Sequence, residues 1–267
     1  MKNYPIIQVD AFADKAFAGN PAAVMPLDGP LDDELMQSIA MENNLAETAF
    51  FWPEGDSLRL RWFTPTLEVE LCGHATLASA HVWFTEMEGG SQPVSFETRS
   101  GTLTVQKTAQ GYQMDFPAKP VHGPWAHPGL AAALGATPDA VYTQGTFAGV
   151  EHVLCVFNDA DTLRALAPDM SAIKKVRATI MTTAPESEDG LDFISRFFAP
   201  TAGVDEDPVT GSAHCTLTPY WAKRLDKNIL NAYQASSRGG YVMCELDGAR
   251  VKLSGQAVTT LKGDFIL

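Results

Sequence analysis

The sequence is self-similar across its two halves, and that constrains the fold more than any other feature, because a duplicated chain must use an architecture one copy can adopt. Gly73, Ala75 and Trp83 match Gly211, Ala213 and Trp221 at one common spacing. Upstream, Phe63-Thr64-Pro65-Thr66 matches Phe198-Ala199-Pro200-Thr201, so the second copy carries three more residues between this motif and the glycine. Downstream, Arg99-Ser100-Gly101 matches Arg238-Gly239-Gly240, and Phe17-Ala18-Gly19 recurs as Phe147-Ala148-Gly149. Matches in one order, all about half a chain apart, argue for a duplicated domain.

The first copy reads as strands around few helices. Ile6 to Phe12 alternates as a strand, and Phe17-Ala18-Gly19-Asn20-Pro21 turns the chain into a second strand through Val24. Leu31 to Glu42 predicts a helix, with Asp32, Asp33 and Glu34 in its first turn and Leu35, Met36 and Ile39 on its apolar face. Thr48 to Trp52 and Leu58 to Phe63 predict strands joined by a Glu54-Gly55-Asp56 turn, the second alternating Leu58, Leu60 and Trp62 with Arg59 and Arg61. A helix from His74 to Glu86 precedes short strands at Val94 to Glu97, Gly101 to Gln106 and Tyr112 to Phe116. One helix among many strands predicts an α+β domain whose sheet wraps a helix. The proline-rich stretch Pro117 to Pro124 marks the boundary, giving halves 1–118 and 119–267, with the final strand, about 256–267, able to return to the first half. In the second copy Leu130 to Leu134 predicts a short helix ended by Gly135, and Phe147 to Phe157 a strand pair. A helix from Ala160 to Leu166 and strands at Ile180 to Thr183 and Leu191 to Phe198 follow.

At 267 residues and 45% hydrophobic content, the chain can bury sizeable cores. Its formal net charge of −13 repels nucleic acid and anionic membrane, so neither is expected as a partner. The N-terminus does not resemble a signal peptide and no apolar run approaches ~18 residues, which makes a cytoplasmic setting the default expectation. Cys72, Cys155, Cys215 and Cys244 have neither paired metal-ligand spacing nor the density of a disulfide framework, and read as reduced thiols. With no dinucleotide-binding glycine loop or Walker motif, no cofactor and no metal are expected.

The chemistry concentrates at two matched helix starts, Cys72-Gly73-His74 and Asp207-Pro208-Val209-Thr210-Gly211-Ser212. Free backbone N–H groups at a helix start attract a carboxylate, and glycine lets a ligand approach the backbone. Opposed across one site, they could grip an acid-bearing small molecule and stabilise charge developing on it. The plain alternative is that Asp207, Thr210 or Ser212 does no more than cap a helix.

Three stretches carry a family resemblance: Asn44-Leu45-Ala46-Glu47-Thr48-Ala49-Phe50, the run from Phe63-Thr64-Pro65-Thr66 through Cys72-Gly73-His74 to Ala78, and Asp207-Pro208-Val209-Thr210-Gly211-Ser212-Ala213. Together they resemble the PhzF-like isomerases of phenazine biosynthesis, in order from Asp10-Ala11-Phe12 and Gly19-Asn20-Pro21 to Ser254-Gly255-Gln256-Ala257. The resemblance implies a diaminopimelate-epimerase-like fold: two pseudo-symmetric halves, each a barrel-like sheet around a central helix, with the site in the cleft between them. It implies a cofactor-independent isomerase that shifts a proton within a small carboxylate-bearing substrate, and suggests a homodimer. Glu47 falls at the general acid/base position, where burial between neighbours such as Leu45 and Phe50 is expected to raise its pKa. His74 and Asp207 match flanking hydrogen-bonding or proton-relay positions. Gly73, Gly211 and Ser212 match the donors that hold the substrate carboxylate, and Asn20, Cys72 and Thr210 complete the substrate-binding set.

Two departures matter. Racemases of this fold use two opposed cysteines, whereas here Cys72 is answered by Thr210, whose hydroxyl is far too weak an acid to replace a thiol. Ala46 precedes Glu47 where a hydroxyl residue is expected in phenazine-forming members. An amino-acid epimerase using Cys72, and a non-catalytic binding module for a small molecule or a protein, remain alternatives.

Overall fold

A computed structural model describes residues 1–267 apart from Asp56, Glu88 and Ala148, so the expected Glu54-Gly55-Asp56 turn and the Phe147-Ala148-Gly149 match lie partly outside the described residues. In chain order the elements are β1 (Asn3–Ala11), β2 (Asn20–Pro26), α1 (Asp33–Asn43), β3 (Glu47–Glu54), β4 (Ser57–Phe63), β5 (Glu68–Val69), α2 (Gly73–Glu86), β6 (Val94–Thr98), β7 (Gly101–Thr108) and β8 (Gly111–Pro117). They continue with α3 (Leu130–Leu134), β9 (Ala140–Phe147), β10 (Val150–Val156), α4 (Ala160–Arg164), α5 (Met170–Val176), β11 (Ala178–Pro185) and β12 (Phe193–Phe198). After these come α6 (Gly211–Leu225), β13 (Ile229–Gln234), β14 (Gly240–Asp247), β15 (Arg250–Gly255) and β16 (Ala257–Ile266).

The chain forms two compact units, Met1–Asp115 with Ser254–Leu267, and Phe116–Leu253. The last strand, β16, runs antiparallel to β1 in the first unit. Within that unit the strand order is β16-β1-β2-β3-β4-β6-β7-β8, and within the second β15-β14-β13-β12-β11-β10-β9. The duplication shows in the pairing. β1–β2 is antiparallel, β2–β3 parallel, β3–β4 antiparallel, β4–β6 parallel and β6–β7 antiparallel. From β9–β10 through β13–β14 the same alternation recurs. The sequence-based expectations miss α5 entirely and start the second unit's strand pair too late, at Phe147 instead of Ala140. β9 escapes because Ala140–Phe147 is intermediate or exposed throughout and carries no two-residue alternation.

Each unit is built around a buried helix. In α2 every residue from His74 to Val82 is buried, and it contacts β1, β2, β3 and β16. The small side chains Ala75, Ala78, Ser79 and Ala80 let strands approach closely, and its hydroxyls are satisfied internally, Thr76 and Ser79 donating to the carbonyls of Cys72 and Ala75. In α6 the residues from Ala213 to Thr218 are buried likewise. Pro219 inside α6 cannot donate to the Cys215 carbonyl, and the Lys119 N–H takes that acceptor instead at 2.9 Å. Among the described residues no helix is long and apolar enough to cross a membrane.

The turn from β1 to β2 is strained where it leads into the candidate site. Phe12 and Phe17 have φ of 58° and 71°, a region costly for residues with a Cβ. The buried Asp10 carboxylate holds the Phe17 N–H at 2.8 Å. At Gly19, with φ of +64°, a Cβ would lie 2.1 Å from the Ala11 carbonyl oxygen, so no other residue fits. Gly248 has φ of +58° but open space around it. Gly248→Ala should therefore cost only the left-handed backbone penalty, about 1–2 kcal/mol, while Gly19→Ala should cost at least about twice that. Urea unfolding of both variants measures the difference, and equal costs would contradict this packing.

Candidate active site

In the first unit, the residues expected at the site converge on the start of α2. β2 and β3 run parallel with Ala22 opposite Glu47, which brings Asn20, at the beginning of β2, and Glu47, at the beginning of β3, to the same end of the sheet. Cys72 occupies the N-cap position of α2 in extended backbone and makes no side-chain capping bond, so the thiol is left to face its neighbours. His74, one residue into the helix, is the hub. Its Nε2 lies 3.0 Å from the Glu47 Oε2, its Nδ1 lies 3.2 Å from the Asn20 Nδ2, and the Cys72 Sγ lies 3.5 Å from Nδ1. The Glu47–His74 approach is a close charge contact and not an aligned hydrogen bond, and neither atom has another hydrogen-bond partner among the described residues.

This geometry sets the charges. Burial raises Glu47 more than any other single influence, but the His74 charge and the contacts with His74 and Cys72 together outweigh it and hold the carboxyl below its ordinary value. The expectation of a pKa raised by burial between apolar neighbours is thereby corrected: an imidazole faces the carboxylate, and Phe50, three residues along β3, is buried instead in the cluster with Met36 and Ile39 of α1. Burial would lower His74, yet the adjoining Cys72 and Glu47 raise it well above the usual histidine range. Burial and the Glu47 charge both raise the Cys72 thiol. With that thiol protonated at neutral pH, Glu47 is the anion that holds the imidazolium. The Asn20 amide suits either protonation state, presenting N–H to a neutral Nδ1 or, turned over, its oxygen to a protonated one.

Glu47, Cys72 and His74 also offer donor atoms that all lie within 4.8 Å of one another. Because the carboxylate is already paired and the thiol protonated, a metal would have to break that pairing and displace protons, and no metal ligand is assigned.

In the second unit the matched helix start is organised differently. Thr210 takes the N-cap position of α6, with backbone angles close to those of Cys72, and likewise makes no side-chain capping bond. Its hydroxyl donates to the Asp207 Oδ2 at 2.5 Å, which answers the plain capping alternative for Thr210. Gln234, fully buried at the end of β13, was not anticipated from the sequence: its Oε1 accepts the Thr210 N–H at 2.9 Å, and its Nε2 donates to the Asp207 carbonyl at 2.7 Å. A glutamine far along the chain carries no local signal, and only the parallel pairing of Ser195 with Gln234 brings it here. Gly211 is buried and Ser212 exposed at the same helix start. His214 is buried, ties its Nδ1 to the Thr210 carbonyl at 2.8 Å, and is pushed down to about 4 by burial, so it stays neutral. All four cysteines are free and buried.

The ion pair gives stability a defined pH dependence. Glu47 lies below its ordinary 4.5 in the folded chain, so its contribution is present above that pH and lost as pH falls through the folded value. His74 lies above its ordinary 6.5, so its contribution is present below that pH and lost as pH rises through the folded value. The stability lost in Glu47→Gln should therefore be greatest between pH 4.5 and 6.5 and shrink on either side. Thermal unfolding of both proteins across pH measures it, and a difference constant with pH would contradict the ion pair.

The profile of the phenazine biosynthesis-like protein family, PhzC-PhzF, matches residues 9–263. An uncharacterised isomerase of Pseudomonas aeruginosa is 48% identical over 263 residues, covering 98% of each chain. A PhzF family crystal structure from Enterococcus faecalis superposes with a TM-score of 0.93 at 43% identity, covering all of both chains. A probable proline racemase from Agrobacterium radiobacter, at 10% identity and a TM-score of 0.65 over 99% of this chain and 93% of its own, shares the fold. The duplicated α+β architecture is thus that of the epimerase-like proteins, and the chain belongs to the PhzC-PhzF family of phenazine biosynthesis-like proteins.

Proposed function

We propose that this chain is a cofactor-independent isomerase that shifts a proton within a small carboxylate-bearing molecule, with Glu47 as the proton carrier. The observation that carries this is the Glu47 Oε2 at 3.0 Å from the His74 Nε2, a carboxylate held ionised and therefore resting as a base. The isomerase name of the Pseudomonas aeruginosa relative supports the reaction class. Glu47 takes a proton from a carbon conjugated with the substrate carboxylate. The electron pair left behind spreads toward that carboxylate, where N–H groups at the start of α2, beginning with Gly73, meet the growing charge. Glu47 then returns the proton to a different carbon, so that no atom is gained or lost. The His74 imidazolium steadies the Glu47 carboxylate before the first transfer and again after the second. By the same reasoning, the start of α6, with Gly211 and Ser212 beside the Asp207–Thr210 pair, is assigned anion-binding capacity.

The thiol-based epimerase has one observation in its favour, the Cys72 Sγ at 3.5 Å from the His74 Nδ1. The raised thiol pKa weighs against it, because the thiol and not the thiolate is present at neutral pH. Incubation with a panel of amino acids and unsaturated carboxylates in deuterated water, read by mass and proton NMR, tests the proposal. Label should enter a carbon of at least one compound, Glu47→Gln should slow that uptake by about 100-fold or more, and Cys72→Ser should keep most of it. Uptake unaffected by Glu47→Gln would overturn the assignment, and uptake abolished by Cys72→Ser would favour the thiol. A compound bound tightly without label uptake would favour a binding module.

A further inference from the structure

Two arginines stand at matched places in the units, each on the strand that leads toward a functional helix start. Arg61 on β4 and Arg196 on β12 each lie two residues before a repeat phenylalanine, Phe63 and Phe198, and the guanidinium centres stand 5.1 and 5.0 Å from those rings. Residues two apart on a strand share a face, so ring and guanidinium stack in both copies. Arg61 grips Glu68 through both carboxylate oxygens, with Nε and Nη2 each at 2.8 Å, and spends Nη1 on Asp33 at 2.6 Å. Arg196 grips Glu206 in the same two-point manner at 2.7 and 3.0 Å and spends Nη1 on the Leu166 carbonyl at 2.7 Å. Both arginine side chains are largely buried, 12% and 11% exposed, so these are not solvated surface pairs of negligible worth.

The glutamates are matched too. Glu68 is four residues before Cys72, the N-cap of α2, and Glu206 is four residues before Thr210, the N-cap of α6. The connection between strand and helix is three residues longer in the second copy, from Phe198 to Gly211 against Phe63 to Gly73, and a 3-10 turn at Pro200–Ala202 lies within it. The arginine keeps its place relative to the strand and the glutamate its place relative to the helix. A pairing that survives such a change in loop length, in both copies, is fixing something other than the loop.

We propose that Arg61–Glu68 and Arg196–Glu206 are positioning pairs, which set where each chain segment joins its helix and so hold Cys72, Gly73 and His74 in one unit, and Asp207 and Thr210 in the other, in working geometry. The arginines act through the helix starts and are not assigned contact with substrate. That these placements serve proton transfer rests on the function proposed above; the placement itself does not. Two-point grip is the essential property, because a planar fork fixes both position and orientation whereas a lysine fixes only a distance.

Each helix start contains its own reporter, His74 beside Glu47 and His214 tied to the Thr210 carbonyl. Ring nitrogen NMR shifts of both histidines, read without substrate in folded Arg61→Lys, Glu68→Gln, Arg196→Lys and Glu206→Gln, test the proposal. The first two should shift the His74 signals and leave His214 unchanged, and the last two should do the reverse. Unchanged histidine signals beside a lowered melting temperature would show a purely structural pair and overturn the proposal, as would lysine variants that match wild type. If lysine does not fold, the nearly isosteric glutamine variant decides, and unfolding in both would mark a folding determinant and likewise refute positioning. Deuterium uptake insensitive to Glu47→Gln would overturn the proposed function while leaving these shifts in place.

Discussion

A helix buried along its middle by its own sheet has little but its ends to offer a ligand. That constraint governs this molecule. From His74 to Val82 no residue of α2 is open to solvent, and α6 repeats the pattern from Ala213 to Thr218. The N-terminal end has free N–H groups that favour negative charge, and a glycine stands at the first helical position in both copies. The small residues and internally bonded hydroxyls that allow the helix to be enclosed are therefore the reason chemistry collects where it does. Both N-cap residues leave their side chains out of capping, which releases a thiol in one copy and a hydroxyl in the other for other partners.

The electrostatics of the first helix start depend on one neighbour. Glu47 alone in an apolar pocket would be a weak acid and rest protonated, as a donor. Placed against His74 it rests as a carboxylate, as an acceptor. Burial strengthens this pair because a charge removed from water is held chiefly by its counter-charge, and neither can be neutralised without leaving the other exposed to a low dielectric. At the second helix start an uncharged hydroxyl, in a Gln234–Thr210–Asp207 chain of hydrogen bonds, contacts the Asp207 carboxylate. Duplication has preserved the frame, and the side chains on it have diverged into different electrostatic roles.

Much of this frame is legible in the sequence because it is local and repeated. Gly73 with Gly211, the flanking alanines and the Phe-x-Pro-Thr motifs reveal the duplication, and the residues around them name the two helix starts correctly. What the sequence conceals is what depends on distant partners. Nothing near Glu47 announces that an imidazole from α2 will face it, so burial alone gives the wrong direction for its pKa. Arg61 and Arg59 look alike as the wet side of a strand, yet only Arg61 turns into a two-point grip on Glu68, while Arg59 makes a loose contact with Glu54 at 3.8 Å. Met170–Val176 is too short for helical periodicity to stand out, and its start becomes recognisable only through the Asp169 side chain capping Ser171 and Ala172.

The central claim is that Glu47 rests ionised against His74. A site-resolved carbon-13 titration of the Glu47 carboxyl in the substrate-free protein addresses it most directly. The carboxyl should be ionised throughout the neutral range and take up its proton only below pH 4.5. A carboxyl found protonated at neutral pH would contradict the account.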